Sequence, residues 1–210
     1  MSRDYSQFGE QAQIFAALKE IEDRKIPFSR RVLDIGAHDG VTYSNSRALI
    51  ESGWGATLVE PSPTPFLKLM DLYRGNDAVK LVHAAVAASP GYKRVQEMHD
   101  SRGSYYTTFE ESQRREFANS CDWQKIHVAL ITLDDLFETC PGPYGMISLD
   151  VEGWNPQIFN WLAPLLDKLV TQVACIEHQG KIDLIEKCAP QFKRYYANHC
   201  NLILQRVHER

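Results

Sequence analysis

The chain has 210 residues, 44% hydrophobic and 24% charged, with a formal net charge of -4. That length suits one domain with a core of its own, spanning 1–210, and the acidic balance gives a phosphate-backbone binder no support, so nucleic acid is not the expected partner. No apolar run is long enough to span a bilayer and the start MSRDYSQFGEQ lacks a secretory apolar region, which predicts a cytoplasmic location without membrane contact.

The first segment, 1–28, reads as a loop from Tyr5 to Glu10 entering an amphipathic helix. Ile14, Leu18 and Ile21 recur at helical spacing, and the helix is expected to end near Pro27. Its plain role is to cover a sheet edge. A helix ahead of the first strand also lies close to a ligand mouth, so Ser6, Gln7 and Glu10 are candidate contacts.

Arg31 to Glu60 reads as strand, tight loop, helix, strand, acid. Gly36 and Gly40 let the backbone turn tightly and a ligand come close. Glu60, at the end of the second parallel strand, is placed to accept hydrogen bonds from both hydroxyls of a ribose. Together they predict an adenosine-containing ligand. In the loop Asp34 to Gly40 (DIGAHDG), Ala37 follows Gly36 and no glycine stands two residues on, so the dinucleotide pattern G-x-G-x-x-G is absent. Asp34 and Asp39 repel phosphates and suit a cationic ligand. S-adenosyl-L-methionine, with a sulfonium and an α-ammonium, fits that charge.

Beyond Glu60, Pro61 to Pro65 (PSPTP) forms a rigid turn and Phe66 to Leu72 a helix. Val79 to Ala88 reads as the third strand and its exit, facing the adenine, with His83 packed in the strand. Tyr92 to Met98 is a further short strand. The polar stretch 99–127 is too long for an ordinary connection; with a helical patch from Glu110 to Asn119 it is expected to be an inserted cap over the active site that selects the substrate.

Val128 to Thr132 reads as a strand, Leu133 begins a short helix, and Met146 to Leu149 is a strand running into Asp150-Val-Glu152-Gly. Acids at a strand's carboxyl end lie where open α/β sheets bind ligands, and the two-residue spacing puts Asp150 and Glu152 on one side if the strand geometry persists. A helix from Pro156 to Leu162 follows, then a strand from Leu169 to Ile176 ending at Glu177 and His178. Lys181 to Cys188 is helical, and 192–207 forms a terminal hairpin. The count is a Rossmann-like α/β fold of the class I methyltransferase shape: a mostly parallel seven-stranded sheet with an antiparallel last strand. Cys121, Cys140, Cys175, Cys188 and Cys200 are odd in number and irregularly spaced, which predicts free thiols.

Methyl transfer to a hydroxyl benefits from a base, and Asp150, Glu152, Glu177 and His178 all follow strand ends on the expected cofactor side. His178 is favoured by its ordinary pKa near neutrality, and the competing reading is a histidine satisfied by its neighbours. Asp150 is also a candidate for the cofactor's methionine end or for a cation; metal-independent transfer is the working expectation.

Several linked blocks resemble the FkbM-type methyltransferases: Tyr5 to Glu10, Asp34 to Gly40, Ser44-Asn45, Gly53-Trp54, Val59-Glu60-Pro61, Asp150 to Gly153 and Ile176 to His178. The resemblance implies a Rossmann-like fold, S-adenosyl-L-methionine as donor and O-methylation of sugars or secondary metabolites. It also implies that Asp34, Gly36, Asp39, Ser44, Asn45 and Glu60 belong to the ligand site. Gln11 and Asn155 stand where relatives commonly carry acids, so the acceptor is open to change here. The expected acceptor is a small molecule or glycan. Two alternatives stand beside it: a nucleic acid or protein acceptor engaged through Tyr105, Tyr106, Phe109, Arg114 and Arg115, and a Rossmann-like binding module without turnover.

Overall fold

The computed structural model describes residues 3–100, 103–108, 122–151 and 155–208. Its centre is a seven-stranded sheet built from β1 (Arg31–Ile35), β2 (Gly55–Val59), β3 (Val79–Val82), β8 (Met146–Leu149), β9 (Val173–Glu177), β10 (Phe192–Ala197) and β11 (Asn201–Arg206). The spatial order is β10-β11-β9-β8-β1-β2-β3, parallel throughout except that β11 runs antiparallel to both β9 and β10. This is the Rossmann-like arrangement expected from the alternation of strands and helices.

Side chains alternate across each strand, and the two faces carry two separate cores. Val32, Leu58, Met146 and Cys175 pack against α1 (Glu10–Asp23), α2 (Arg47–Glu51) and α3 (Pro63–Leu72), whose Ile14, Leu49 and Leu69 are fully buried. Leu33, Ile35, Ile147, Leu149 and Ile176 pack on the other face against α4 (Leu133–Thr139), α5 (Asn155–Leu162) and α6 (Ile182–Cys188) through Leu136, Phe159 and Ile185. α4 starts cleanly because the Thr132 hydroxyl accepts from the Asp135 N–H while the Asp135 carboxylate accepts from the Thr132 N–H.

The second sheet departs from the sequence expectation. The run 79–88 is not one strand: β3 stops at Val82 and β4 (Ala85–Val86) joins a four-stranded sheet with β5 (Gly91–Asp100), β6 (Gly103–Thr108) and β7 (Asp122–Ile131), in the order β4-β7-β5-β6. Val128 to Thr132 therefore belongs largely to β7 of this sheet, not to the central one. Pairing of β5 with β7 over the register Gly91↔Leu130 to His99↔Asp122 carries the strands well past the expected ends and into the stretch 99–127. The expected helical patch from Glu110 to Asn119 lies outside the described residues. β9 also starts later than expected, at Val173, because Val170 takes a left-handed backbone at φ 56° and turns the chain before it.

Among the described residues no helix is long and apolar enough to cross a membrane. Cys140, Cys175 and Cys188 are free thiols.

Candidate functional site

The sheet's connections reverse direction between β1 and β8, and open α/β sheets bind ligands at the carboxyl ends of their strands at such a point. A cavity of about 210 Å³ lies there. Strand register decides which side chains meet in it. Asp34 is paired with Ser148 across β1 and β8, and Leu149 with Ile176 across β8 and β9, so the next residues, Asp150 and Glu177, leave the sheet side by side. The same register sets Gly36 against Asp150. A Cβ on Gly36 would stand 1.6 Å from the Asp150 carbonyl oxygen, and its φ of 93° is left-handed, so only glycine fits.

The acids around the cavity are of two kinds. Glu60 and Asp39 are held by backbone N–H groups. Glu60 Oε2 accepts from the His38 N–H at 2.9 Å and Oε1 from the Ser62 N–H at 2.7 Å. Asp39 accepts from the N–H groups of Val41 and Thr42 and from the Thr42 hydroxyl. Burial alone would raise the Asp39 pKa, but the His38 ring and those N–H groups outweigh it and hold the carboxyl well below the usual carboxylate range.

Asp34, Asp150 and Glu177 are held by side chains instead. Ser46 Oγ donates to Asp34 Oδ2 at 2.5 Å, and the Ser148 hydroxyl also hydrogen-bonds to Asp34. Burial nevertheless pushes Asp34 up to about 6 from 3.8. Asp150 is driven well above its ordinary value by burial first, then by the charges of Glu177 and Asp34 and a hydrogen bond shared with Glu177, with His38 opposing. Glu177 is raised by burial too, against hydrogen bonds from Gln179, Asn155 and Asp150. Carboxyls placed this closely hold their protons to higher pH than free ones do.

Of the expected cofactor contacts, Gln7, Asp34, Gly36, Ala37, Ser44, Asn45, Glu60, Pro61 and Asp150 line the cavity, as does Glu177 from the expected bases. Ser6, Glu10, Asp39, Gly40 and His178 are not in its lining, and each has a physical reason. The Ser6 hydroxyl donates to Asp4 and accepts from the Gln11 N–H. Glu10 is buried, accepting from the Phe8 N–H and from the amides of Asn198 and Asn201, so it ties the N-terminal loop to the β10–β11 turn. Asp39 closes its own loop, and a Cβ on Gly40 would meet Leu69 Cδ2 at 2.7 Å, so that glycine serves the packing of α3. Glu152 lies outside the described residues.

His178 sits on the turn after β9, held by its neighbours. Its Nδ1 accepts from the Gly180 N–H at 2.9 Å and its Nε2 contacts the Asn198 carbonyl at 3.0 Å, which makes Nε2 the protonated nitrogen. The ring is buried, both nitrogens are engaged, and its backbone N–H donates to the Cys200 carbonyl. It pins two turns together. His83 departs from its expectation: it lies between β3 and β4, outside any strand, and is exposed, with its ring stacked on Phe66 at 4.3 Å.

Sequence reading missed several contributors. Ser46 and Ser148 anchor Asp34, and Ser148 was signalled by being the one polar residue in the strand MISL. Tyr43 lines the cavity on a left-handed backbone at φ 55° while 56% exposed. Asn155, fully buried, accepts from the Val151 N–H at 2.8 Å and donates to Glu177 Oε2 at 2.6 Å. Among the described residues no group of three or more His, Cys, Asp or Glu side chains is arranged to hold a metal ion.

The profile of the methyltransferase FkbM domain matches residues 34–205, which takes in every one of these cavity acids. The chain belongs to the FkbM methyltransferase family. No curated protein sequence matches this member of it. Similar solved structures include monomeric WbdD, at 12% identity and a TM-score of 0.48 over 98% of this chain and 42% of that one. Another is the fibrillarin/Nop5p complex, at 14% identity and a TM-score of 0.43 over 94% of this chain and 82% of that one. A third is the N-terminal domain of human METTL16 in complex with SAH, at 12% identity and a TM-score of 0.46 over 91% of this chain and 66% of that one. The FkbM chain thus spans less than half the length of the WbdD chain.

Proposed function

We propose that this chain transfers a methyl group from S-adenosyl-L-methionine to a hydroxyl of a sugar, glycan or small metabolite. One observation carries the donor assignment. Asn45 is 8% exposed and lines the cavity with its Oδ1 unpartnered among the described residues, close in sequence to Ser46, which orders Asp34. A buried acceptor without a donor costs about 1–3 kcal/mol, so its persistence in a cavity that Asp34 also lines is best explained by a ligand that brings N–H groups and positive charge. The α-ammonium of the donor's methionine end has both.

The remaining residues fit the same ligand. Glu60, at the end of β2 in the cavity wall, would take the ribose hydroxyls, and Ala84, Ala85 and Val86 offer the apolar wall an adenine needs. When bound, S-adenosyl-L-methionine supplies an electrophilic methyl group on a sulfonium whose sulfur keeps the bonding electron pair as a neutral thioether. The chain's part is to hold the acceptor oxygen in line with that methyl and to take the proton released as the O–H bond gives way to the O–CH3 bond. Glu177, paired with Asp150 at the cavity wall, is the proposed base, contributing about 10²–10⁴-fold. The stretch 99–127 is proposed to select the acceptor.

Calorimetric titration with S-adenosylmethionine and S-adenosylhomocysteine tests the donor, with Glu60→Ala as control; no binding to either sinks the reading. Methyl incorporation into a panel of hydroxylated acceptors then tests the chemistry. Because metal independence belongs to the proposal, exhaustive chelation is expected to leave both readouts unchanged.

A further inference from the structure

Glu177 is held with more care than a cavity-lining acid requires. Two amides reach the same carboxylate oxygen: Asn155 Nδ2 donates to Oε2 at 2.6 Å and Gln179 Nε2 donates to it at 3.0 Å. They come from different places. Asn155 opens α5 and is fixed by accepting the Val151 N–H, while Gln179 sits two residues past β9 on a backbone at φ 49°. A left-handed conformation at a non-glycine residue persists only where the surroundings enforce it. Here the enforcement is visible: His178 accepts from the Gly180 N–H, and the Lys181 N–H donates to the His178 carbonyl, closing the turn around Gln179.

Building upon the proposed role of Glu177 as base, we propose that Asn155 and Gln179 are positioning residues that saturate one oxygen of Glu177 and thereby keep the proton shared with Asp150 on Asp150. An amide N–H bonds more strongly to a carboxylate oxygen than to the oxygen of a neutral carboxylic acid, so two such donors favour the anion at Glu177. Asp150 has no comparable pair of donors among the described residues and faces the charges of Glu177 and Asp34. The other ionisable groups acting on the pair are His38, on the loop after β1, and His178, on the chain next to Glu177. The asymmetry separates the two carboxyls: Asp150 donates to Glu177, and Glu177 stays ready to receive the acceptor's proton. Sequence spacing alone would have treated the two acids as interchangeable.

The test needs no acceptor. The full chain, labelled with ¹³C at glutamate carboxyls, is titrated by NMR as wild type, Asn155→Ala and Gln179→Met, with the Glu177 signal assigned by its disappearance in Glu177→Gln. The Glu177 midpoint is expected to rise by about one pH unit in each variant, the direction set by losing a donor to the charged form. Asn155→Ala removes a buried residue that also holds Val151, so if it fails to fold, Gln179→Met decides alone. Calorimetry with S-adenosylhomocysteine on the same samples separates the two levels of the argument. Wild type that does not bind overturns the methyltransferase reading and this inference with it. Wild type that binds, with the Glu177 midpoint unmoved in the folded variants, overturns this inference alone. A raised midpoint with S-adenosylhomocysteine affinity retained is the supporting result.

Discussion

The two sides of the cavity hold their acids in opposite ways. On the β1–β2 side, Glu60 and Asp39 each accept two backbone N–H groups, which belong to the fold and cannot swing away. On the β8–β9 side, Asp150 and Glu177 rely on side-chain partners, stand half-buried beside one another, and are pushed toward the protonated form. Backbone donors make a carboxylate permanent, so the first side can shape a loop and anchor a ligand. Side-chain donors leave the charge adjustable, and adjustable charge is what proton transfer needs. Asp34 sits between them, on β1 but held by Ser46 and Ser148, and it behaves like the second kind.

The largest effect is expected where both sides touch. Gly36→Ala would drive a Cβ into the Asp150 carbonyl, with backbone on both sides of the clash and a left-handed φ besides. A loss of more than about 4 kcal/mol, or failure to fold, is expected in chemical denaturation; a near-neutral result would mean the two loops move independently. Next in size, Glu60→Ala leaves the N–H groups of His38 and Ser62 without their acceptor and removes the proposed ribose contacts. Roughly 1.5–3 kcal/mol per charge-assisted bond is expected from S-adenosylhomocysteine binding. An unchanged affinity would place the adenosine elsewhere.

That first side was legible in the sequence because its parts are local. Gly36 and Glu60 belong to one strand-loop-helix-strand unit, and the conformations they impose follow from residue type. The seven-stranded sheet was legible for the same reason, since alternating apolar runs and helical patterns dictate it. The second side was not. Asp150 and Glu177 were visible as acids after strands, but their pairing depends on the β8–β9 register, and the clamp on Glu177 comes from Asn155 and from a left-handed turn that no composition signals. His178 illustrates the limit: its ordinary pKa suggested a base, and only the positions of Gly180 and Asn198 reveal a ring with both nitrogens occupied. The second sheet escaped because a short interruption at His83 and Ala84 sends the chain from one sheet into another.

Asp34 sharpens the comparison through pH. Its pKa is about 6 in the folded chain against an ordinary 3.8, so between those values the folded state keeps a proton that the unfolded state releases. The Asp34 contribution to the stability of the ligand-free protein, up to about 3 kcal/mol, is therefore expected to be lost as pH rises from about 4 to 6. Asp150 and Glu177 add to the same slope. Denaturant unfolding across this range should give a shallower fall for Asp34→Asn than for wild type. If the slopes coincide, burial of Asp34 is not the source. A cationic ligand reverses the preference, so S-adenosylmethionine affinity in wild type should strengthen as pH rises through 6 and lose that dependence in Asp34→Asn.

The smallest effect is expected at His178, and it separates fold from chemistry most directly. His178→Gln keeps an amide able to replace one of the two ring contacts, so a stability loss of about 1 kcal/mol is expected, from one net hydrogen bond. If the ring were the base, turnover with an acceptor found by methyl incorporation would drop about 10²–10⁴-fold while stability held. If the ring only pins the turn carrying Gln179, turnover should change by less than about tenfold, and the change should follow the Glu177 midpoint rather than the loss of an imidazole. That correlation is the sharper criterion, because a turn that loosens without disturbing Glu177 should leave the pH dependence of turnover where it was. A catalytic imidazole, once removed, would take its own limb of the pH profile with it.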